Sequence, residues 1–592
     1  MPSRLHAVQP VGTPPSELPT AAHAVTHTLL NCLLREVSAP EHQTAIADGH
    51  LRLRLPRRGV VLRIALRRTS LIGAHRFTGP AFEENSDGWR ELDWRELAEH
   101  VQAELTLRSG LGNEEFLEQL ASSHDGVVSS LAGRRAADTG HGESGSGHGN
   151  SGTGRYLESE QALLLGHRFH PAPKARSARS AGPEAWDAYA PEARAAFQLR
   201  HLAVRSHLIA QDTADPAALA LLDSLATVPD GYTLLPAHPW QYELLRDNPL
   251  LREALERGDI LDLGLGGEPF TATASVRTLH GAGAFLKFSL NVRITNCLRK
   301  NAAYELTGAV ALTRVLAEPL AELADRFPDS AMLREPAFRT LALPGADGTP
   351  DLALFEGFGL IVREGLENVL RPGVTPLLAA AVADEYPTSS AHISVLLDGA
   401  GPQEALAWWG AYLRLVVPPV LAAYFDHGVV LEPHLQNVLL GVDAEGRPAQ
   451  VLFRDLEGTK LLPERNAGLL AALPPEVARP MSYDAQRGWD RVVYCLLVNH
   501  LSEMLAAVAD QHPPLEAELW QEVRHVLAEH GDRHGCPPRL AALLAGVPLP
   551  AKANLLTRWE RRADRAAGYV PLPSPLAEDL LAQAARSWDG AR

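Results

Sequence analysis

A predicted β-hairpin in the C-terminal third of the chain is flanked by polar residues that suit a metal–nucleotide complex. The apolar runs Val438–Leu440 and Gln450–Phe453 enclose a turn rich in Asp, Gly and Pro. Such a hairpin brings the residues before its first strand and after its second strand to one end of the sheet. The residues in question are His434, Gln436, Asn437, Asp455 and Glu457. Because Asn/Asp pairs hold magnesium and phosphate in nucleotide-dependent enzymes, this segment predicts use of Mg-ATP.

A second predicted hairpin carries cations and hydroxyl groups. Residues 286–294 alternate strictly between apolar and polar side chains, and the preceding ATASVRTLHGAG supplies a partner strand ending in a Gly-rich turn. A turn centred near Ala282 would place Arg277 opposite Lys287 and Ser275 opposite Ser289. Like charges placed directly opposite each other cost stability unless an anion lies between them. The hairpin therefore predicts a phosphate or carboxylate site, although a solvated sheet face would show the same pattern.

The residues after this hairpin predict a helix N-terminus that faces the same anion. Thr295-Asn296 would cap a helix from Cys297 to Leu320, with Arg299 in its first turn. A cation at a helix start opposes the helix dipole unless a bound anion compensates it. A third polar run, GHRFHPAPKAR, contributes His170, Lys174 and Arg176, which suit an anionic substrate or an exposed basic loop equally well.

The elements that position these residues belong to a chain of several domains. Its 592 residues exceed a single hydrophobic core, and 46% hydrophobic with 21% charged residues is typical of a globular protein. A formal charge of −16 argues against nucleic acid or an anionic membrane as a partner. The four cysteines are scattered, and the sequence shows neither a signal-peptide pattern nor an apolar run of ~20 residues. These features predict a cytoplasmic protein.

Local patterns outline three regions. The pattern of Val60–Leu66 predicts a strand, and the apolar residues of 94–107 and 113–131 have helical spacing. Residues 136–154 are rich in Gly, Ser and His and predict a disordered loop. Further helices are predicted over 217–225, 404–424, 490–510, 515–530 and 576–588, and a β-rich block over 270–294.

Seven segments in this order resemble the IucA/IucC-type siderophore synthetases, which act independently of non-ribosomal peptide synthetases and are called NIS synthetases. The resemblance runs from Glu160 to Arg558, nearly the whole chain beyond the N-terminal region. The segments are GHRFHPAPKAR after Glu160, HPWQ at His238, SVRT at Ser275, KFSLNVRITNCLRKN at Lys287, EPHLQN at Glu432, FRDLEG at Phe453 and KANLLTR at Lys552.

The resemblance implies an α+β, multidomain fold shaped like a cupped hand with thumb, fingers and palm, the C-terminal palm being distantly kinase-like. The expected regions are a thumb-like 1–155, fingers over 156–400 and a palm over 401–592. The implied activity is adenylation of a carboxylate of citrate or a related polycarboxylic acid by Mg-ATP. An amine or hydroxyl nucleophile then displaces AMP. A homodimer is a further expectation.

Motif by motif, the resemblance implies roles for individual residues. The catalytic residues would be Arg299, His434 and His170. The carboxylate substrate would be bound by His170, Lys174, Arg176, Arg299 and His434. Magnesium would be held by Asp455, Glu457 and Asn437. ATP would be bound by Ser275, Arg277, Thr278, Lys287, Thr295, Arg299, Gln436, Asn437 and Asp455.

The chain departs from the family pattern at Arg168, where proline is usual, a change that alters the loop or adds a cation for an acidic substrate.

Two other functions compete with the synthetase. A small-molecule kinase of the aminoglycoside or choline type has a similar hairpin, but Val429 and Val430 stand where its catalytic Asp would follow Gly428. A non-catalytic siderophore-binding protein is the second alternative.

Overall fold

A computed structural model describes residues 17–140, 152–177, 186–294, 297–563 and 566–577. The N-terminal region is an antiparallel five-stranded meander packed against helices Ala21–Leu33, Trp94–Ser109 and Glu115–Gly140. Its strands, in spatial order, are β1 (Thr44–Ala47), β2 (His50–Leu55), β3 (Val60–Arg68), β4 (Arg76–Asn85) and β5 (Gly88–Leu92). Buried and partly exposed residues alternate along β3, because one sheet face packs on the helices.

The predicted strand at 60–66 and the helices at 94–107 and 113–131 are confirmed. Asp93 starts the second helix with a capping box, in which Glu96 accepts the Asp93 N–H, and Gly110 ends it in the left-handed conformation. The predicted loop at 136–154 was too wide. One helix continues to Gly140 and another covers Gly152–Glu160, while residues 141–151 lie outside the described part.

The middle of the chain forms an antiparallel sheet of eight strands in the order β8-β16-β17-β12-β11-β10-β7-β9. These are β7 (Ala196–Arg205), β8 (Ile209–Thr213), β9 (Tyr232–Ala237), β10 (Ile260–Ala272), β11 (Thr278–Gly281), β12 (Ala284–Phe288), β16 (Ala337–Leu341) and β17 (Leu360–Arg363). A small sheet joins β6 (Arg176–Ser177), β13 (Arg293–Ile294) and β14 (Cys297–Leu298). The surrounding helices are Pro216–Ser224, as predicted, with Pro239–Leu245, Pro249–Glu256, Ala303–Val315, Ala317–Arg326 and Leu352–Gly357.

A third sheet has four strands in the order β15-β21-β20-β18. The predicted hairpin is confirmed as β20 (Val438–Val442) and β21 (Pro448–Phe453), flanked by β18 (Thr375–Leu378) and β15 (Ser330–Met332). Two short pairs follow, β19 (Val429–Val430) with β22 (Lys460–Leu461) and β23 (Leu549–Lys552) with β24 (Tyr569–Leu572). Because β15 and β18 precede residue 400, the third sheet takes strands from two regions of the sequence.

Helices enclose this third sheet. The predicted helices at 404–424, 490–510 and 515–530 are confirmed, and the predicted 576–588 falls almost entirely outside the described residues. Their observed bounds are Pro402–Phe425, Ala485–Gln511 with a π-helical turn at Tyr494–Leu501, and Glu516–His534. Shorter helices cover Ala379–Val382, Ile393–Leu396, Pro463–Ala472, Pro475–Met481, Pro538–Leu544 and Asn554–Trp559.

Two of these helices are long and apolar enough to span a membrane by length and composition alone. They are Pro402–Phe425 and Ala485–Gln511, and 67% and 94% of their apolar windows are buried inside the protein. Trp409 and Tyr412 of the first helix are fully buried and pack in the largest core cluster with residues of the second. Their apolar character is therefore satisfied by packing within the fold.

A buried ion network joins the N-terminal sheet to the C-terminal helices. Asp510 accepts from Arg68 Nε at 2.7 Å and from Arg76 Nε at 2.9 Å. Burial alone would raise the pKa of Asp510, but the guanidinium groups of Arg76 and Arg68 outweigh it and lower the pKa to about 2. The ionised carboxylate therefore stabilises the folded state.

This network predicts a loss of stability in acid. Because the pKa of Asp510 is lower in the folded state than its ordinary 3.8, its contribution of about 2 kcal/mol is present above pH 3.8 and is lost as the pH falls through 2. In urea unfolding, Asp510→Asn should therefore be less stable than the wild type at pH 7, and the difference should shrink below pH 3. The exposed Asp398→Asn is the control. A difference that is independent of pH would contradict this role for Asp510.

Candidate active site

The hairpin β20–β21 brings its two flanking polar segments together, as predicted. Val438 pairs with Phe453, and the Asn437 carbonyl accepts the Arg454 N–H at 3.0 Å. Asp455 follows with φ 77° and ψ 54°, a left-handed conformation that is unusual for a residue other than glycine. This backbone turn lets the Asp455 and Glu457 side chains point to one cation on the middle sheet.

That cation is Lys287 on β12. Its Nζ lies 2.5 Å from Asp455 Oδ1, also contacts the Glu457 carboxylate, and lies 3.8 Å from Glu335. Arg363 Nη2 on the neighbouring β17 lies 2.9 Å from Asp455 Oδ1 and 2.7 Å from Glu335 Oε1. We call these five residues the Lys287 cluster; it links the middle sheet to the hairpin.

The three carboxylates of the Lys287 cluster outnumber its two cations. Burial raises the pKa of Glu457, although Lys287 opposes this shift. Burial acts in the same direction on Asp455, but Lys287 and Arg363 outweigh it and hold the pKa of Asp455 well below its ordinary value. The Asp455 side chain is 30% exposed, whereas that of Lys287 is 3% exposed. Asp455 thus offers an ionised carboxylate that is partly open to solvent.

These residues fit a magnesium ion that is shared with nucleotide phosphates. In the described residues no group of three or more His, Cys, Asp or Glu side chains could hold a metal alone. Magnesium commonly uses one or two protein carboxylates and completes its shell with phosphates and water. Asp455 suits that role, with Glu457 beside it. The Asn437 side chain uses its nitrogen to bind the Glu432 carbonyl at 3.2 Å, so its oxygen is the atom left for a metal.

The predicted register of the second hairpin, now β11–β12, was wrong by one residue. Thr278, not Arg277, lies opposite Lys287, and Arg277 accepts the Phe288 N–H at its carbonyl. The turn is formed by Ala282 and Gly283, both at positive φ, so its centre lies half a residue beyond the one assumed. Lys287 faces the Asp455 and Glu457 carboxylates instead of Arg277, and β12 ends at Phe288 with all five of its residues buried.

The turn before β11 still presents hydroxyl and guanidinium groups beside the cluster. Ser275 Oγ accepts the Thr278 N–H at 3.1 Å, and the intervening Val276 has φ 69°. Arg277 Nη1 donates to Asn301 Oδ1 at 2.6 Å, and Asn301 in turn donates to the Lys287 carbonyl at 3.0 Å. The predicted phosphate-binding residues Ser275, Arg277 and Thr278 thus lie on one tight turn.

The helix predicted from Cys297 starts later. Its first residue is Ala303, and Glu305 accepts the Ala302 N–H at 2.9 Å. Arg299 is therefore not in its first turn; its backbone instead bonds to Leu290 and Val292. Residues 297–298 pair with β13, so the backbone has an extended conformation where the sequence predicted a helix. Thr295 and Asn296, the predicted cap, lie outside the described residues.

A buried pair, Glu160 and Arg454, ties the Ser275 turn to the His434 segment. Glu160 forms an ion pair with Arg454 and accepts the Ala274 N–H at 3.0 Å. Arg454 Nε donates to the Gln436 carbonyl at 2.8 Å, and Gln436 Nε2 donates back to the Ala274 carbonyl at 2.9 Å. No sequence pattern predicted this pairing, because the two residues are 294 positions apart.

His434 is neutral near pH 7, because burial lowers the pKa of its imidazole to about 4. His167 Nε2 lies 2.8 Å from Asn499 Nδ2, and Asn499 Oδ1 accepts the Leu435 N–H at 3.3 Å, next to His434. A neutral imidazole can donate one N–H without carrying charge, which suits an oxyanion donor.

The structure pairs Lys174 and Arg176 internally. Both contact the buried Glu192 carboxylate, and Lys174 Nζ also donates to the Leu163 carbonyl at 3.1 Å. Nearby, His170 is buried and its Nδ1 accepts the Ala172 N–H at 3.2 Å. The charges of Lys174 and Arg176 are therefore compensated within the protein, although β6 places Arg176 next to the strand that leads to residue 295.

The unusual Arg168 holds its loop to other elements. Its guanidinium lies 3.1 Å from Glu385 and 3.0 Å from Glu503, and donates to the His75 carbonyl at 2.8 Å. Glu385 and Glu503 also face Arg76 of the N-terminal network. Of the two explanations for this residue, the structure favours an altered loop over a cation for substrate.

Comparison with known proteins gives the family. Residues 155–384 match the family model described as IucA / IucC family, and residues 406–567 match that of the ferric iron reductase FhuF-like transporter. An L-2,3-diaminopropanoate–citrate ligase of Staphylococcus aureus is 30% identical over 444 residues, covering 71% of this chain and 75% of that protein. The chain belongs to the IucA/IucC family.

Other proteins match this member of the IucA/IucC family over nearly its full length. The rhizobactin siderophore biosynthesis protein RhbC of Rhizobium meliloti is 28% identical over 95% of this chain and 99% of its own. The solved structure of ATP-bound aerobactin synthetase IucA from Klebsiella pneumoniae is 25% identical with a TM-score of 0.79, covering 94% and 99% of the two chains. AsbB of Bacillus anthracis, at 18% identity and a TM-score of 0.73, shares the mixed α/β fold.

The Glu160–Arg454 pair predicts a large stability effect. Glu160→Gln leaves a buried guanidinium without its counter-charge, which costs about 3–5 kcal/mol. Thermal or urea unfolding should show that loss. The matched control is Glu445→Gln, which removes an exposed partner of Arg447 in the hairpin turn and should cost under about 1 kcal/mol. Equal stability of the two variants would contradict the role of Glu160.

Proposed function

We propose that this protein is an ATP-dependent ligase of siderophore biosynthesis that joins a carboxylate of citrate, or of a related polycarboxylic acid, to an amine or hydroxyl nucleophile. The observation that carries the proposal is the contact of Lys287 with Asp455 beside the Ser275–Thr278 turn. This contact puts an ionised carboxylate that suits a metal next to the proposed phosphate donors. Family membership supports the choice of acid activation, since named relatives are citrate ligases and a siderophore biosynthesis protein.

The reaction has two steps. A carboxylate oxygen attacks the α-phosphorus of ATP, which forms an acyl-adenylate and releases pyrophosphate. The nucleophile then attacks the acyl carbon, the C–O bond to AMP breaks, and the nucleophile loses a proton. Positioning the acid in line with the α-phosphate is the first demand on the site, and stabilising the tetrahedral oxyanion is the second.

The proposed roles follow from these demands. Ser275, Arg277, Thr278 and Lys287 hold the phosphates, with Gln436, Asn437, Arg299 and Thr295 completing the nucleotide site. Asp455, Glu457 and Asn437 hold magnesium, which when bound neutralises the phosphate charge. Neutral His434 and cationic Arg299 donate hydrogen bonds to the oxyanion. His170, Lys174 and Arg176 bind the acid, and Glu192 compensates part of the charge of the last two.

The wider features are part of the same proposal. The fold is a cupped hand with thumb 1–155, fingers 156–400 and a distantly kinase-like palm 401–592, and the enzyme is a cytoplasmic homodimer. Neither alternative function gains support from a specific observation. Val429 and Val430 are buried in β19, so that strand offers no carboxylate base for phosphoryl transfer to a hydroxyl.

The proposal is tested by screening acids against amines and amino alcohols for pyrophosphate release. We expect release that requires an acid such as citrate and Mg-ATP, with AMP formed in equal amount once the nucleophile is added. Release of ADP would instead support a kinase. Ligand binding without either product would support a siderophore-binding protein.

Asp455→Asn should lower the rate of acid-dependent pyrophosphate release by about 10²-fold or more, because it removes the ionised carboxylate proposed for the metal. Added Mg²⁺ should restore little activity, and circular dichroism should show a folded protein. The control is Asp443→Asn, in the turn of the same hairpin and away from the cleft. A rate for Asp455→Asn equal to that of Asp443→Asn would remove Asp455 from the site.

A further inference from the structure

Arg35 is a buried cation that the proposed mechanism does not use. It lies in a π-helical turn, Leu34–Ser38, which continues the first helix, and is 5% exposed. Its Nη2 atom is buried without a hydrogen-bond partner, and Arg35 forms no ion pair with any residue of the described ranges. The contact that it does make is with an aromatic ring: Cζ lies 3.1 Å from the centroid of Phe169.

A charged group in this buried position lowers the stability of the folded state. A buried guanidinium loses its hydration, and stacking on a ring replaces only part of it. Burial lowers the pKa of Arg35 to about 10, with Glu503 and Tyr494 offsetting part of the effect, so Arg35 is still charged near pH 7. Glu503 is paired with Arg168 at 3.0 Å. It therefore offsets only part of the charge of Arg35, and no carboxylate of the described residues is in direct contact with the guanidinium.

A continuous set of contacts runs from Arg35 to the candidate active site. Phe169, under Arg35, packs edge-on against His167, with ring centroids 6.4 Å apart. His167 bonds to Asn499, and Asn499 bonds to the backbone of Leu435 beside His434. Asn499 belongs to the second π-helical turn, Tyr494–Leu501, and such turns occur often at functional sites.

The neighbour of Arg35 in sequence fixes this turn to the C-terminal KANLLTR segment. Glu36 accepts the Leu555 and Leu556 N–H groups, both at 2.9 Å. This contact holds the π-helical turn, and with it Arg35, against the KANLLTR segment. Residue 35 lies outside both family models, so its position here comes from the fold of the N-terminal region.

We infer that Arg35 forms a carboxylate subsite of the cleft, beyond His434 as seen from the Lys287 cluster. This inference rests on the proposed function, which supplies two sources of a carboxylate. One is a carboxylate of the acid that is not activated. The other is the carboxylate of an amino-acid nucleophile, which a simple polyamine lacks.

The test compares the wild type with Arg35→Gln and Arg35→Lys. Acid-dependent exchange of pyrophosphate into ATP measures use of the acid alone. Condensation is then measured with 2,3-diaminopropanoate and with 1,2-diaminoethane, its counterpart without the carboxylate. Arg63→Gln is the control, since Arg63 also stacks on aromatic rings, Phe82 and Trp89, but lies on the other face of the N-terminal sheet.

We expect Arg35→Gln to raise one KM by about 10- to 100-fold, the effect of losing a charge-assisted hydrogen bond, with a much smaller change in kcat. Arg35→Lys should show a smaller rise, and it alone decides the matter if Arg35→Gln fails to fold. A higher KM for the acid in the exchange assigns the subsite to the acid. A higher KM for 2,3-diaminopropanoate alone assigns it to the nucleophile.

Two outcomes would overturn the inference. One is an unchanged KM for the acid and for both amines. The other is an equal loss of activity with both amines at an unchanged KM for the acid, which is the pattern of a structural arginine. Failure of the proposed function itself would look different, because the wild type would then show no acid-dependent exchange.

Discussion

The contact of Lys287 with Asp455 and Glu457 is the constraint on which the candidate site depends. Lys287 lies on a buried strand of the middle sheet, so its charge must be neutralised. The two carboxylates that neutralise it directly follow β21, the second strand of the hairpin in the third sheet. The charge of Lys287 therefore fixes the position of the hairpin β20–β21 relative to β12. Arg363 on β17 and Glu335, two residues before β16, extend the same pairing. The cleft that we propose for ATP lies where these two sheets meet.

Other buried ionic contacts hold the rest of the molecule around this junction. Glu160 with Arg454 joins the Ser275 turn to the His434 segment, and Asp510 with Arg68 and Arg76 joins the N-terminal sheet to the C-terminal helices. Buried ion pairs contribute less to net stability than apolar packing does, but breaking one is costly and their geometry is specific. The fold thus uses charge at the places where regions distant in sequence must meet in one arrangement.

Much of the local structure could be predicted from the sequence. The hairpin β20–β21 was predicted because Asp443, Gly446 and Pro448 specify its turn and the flanking runs are apolar. The register of β11–β12 was wrong because the sequence GAGA allows more than one turn centre. The helix start was wrong because residues 297–298 pair with β13, a tertiary contact that helical spacing does not show. Glu335, Arg363 and Arg35 were not predicted as site residues, because isolated charged residues carry no periodic signal.

The proposed adenylation requires that a carboxylate of the acid become bonded to the α-phosphate of ATP. The most direct measurement uses citrate labelled with ¹⁸O in its carboxylates, a nucleophile and Mg-ATP, followed by mass spectrometry of the nucleotide product. When AMP is displaced, the bridging oxygen leaves with the phosphate, so adenylation of the acid predicts AMP that carries one ¹⁸O atom. AMP without the label, or ADP as the nucleotide product, would contradict it.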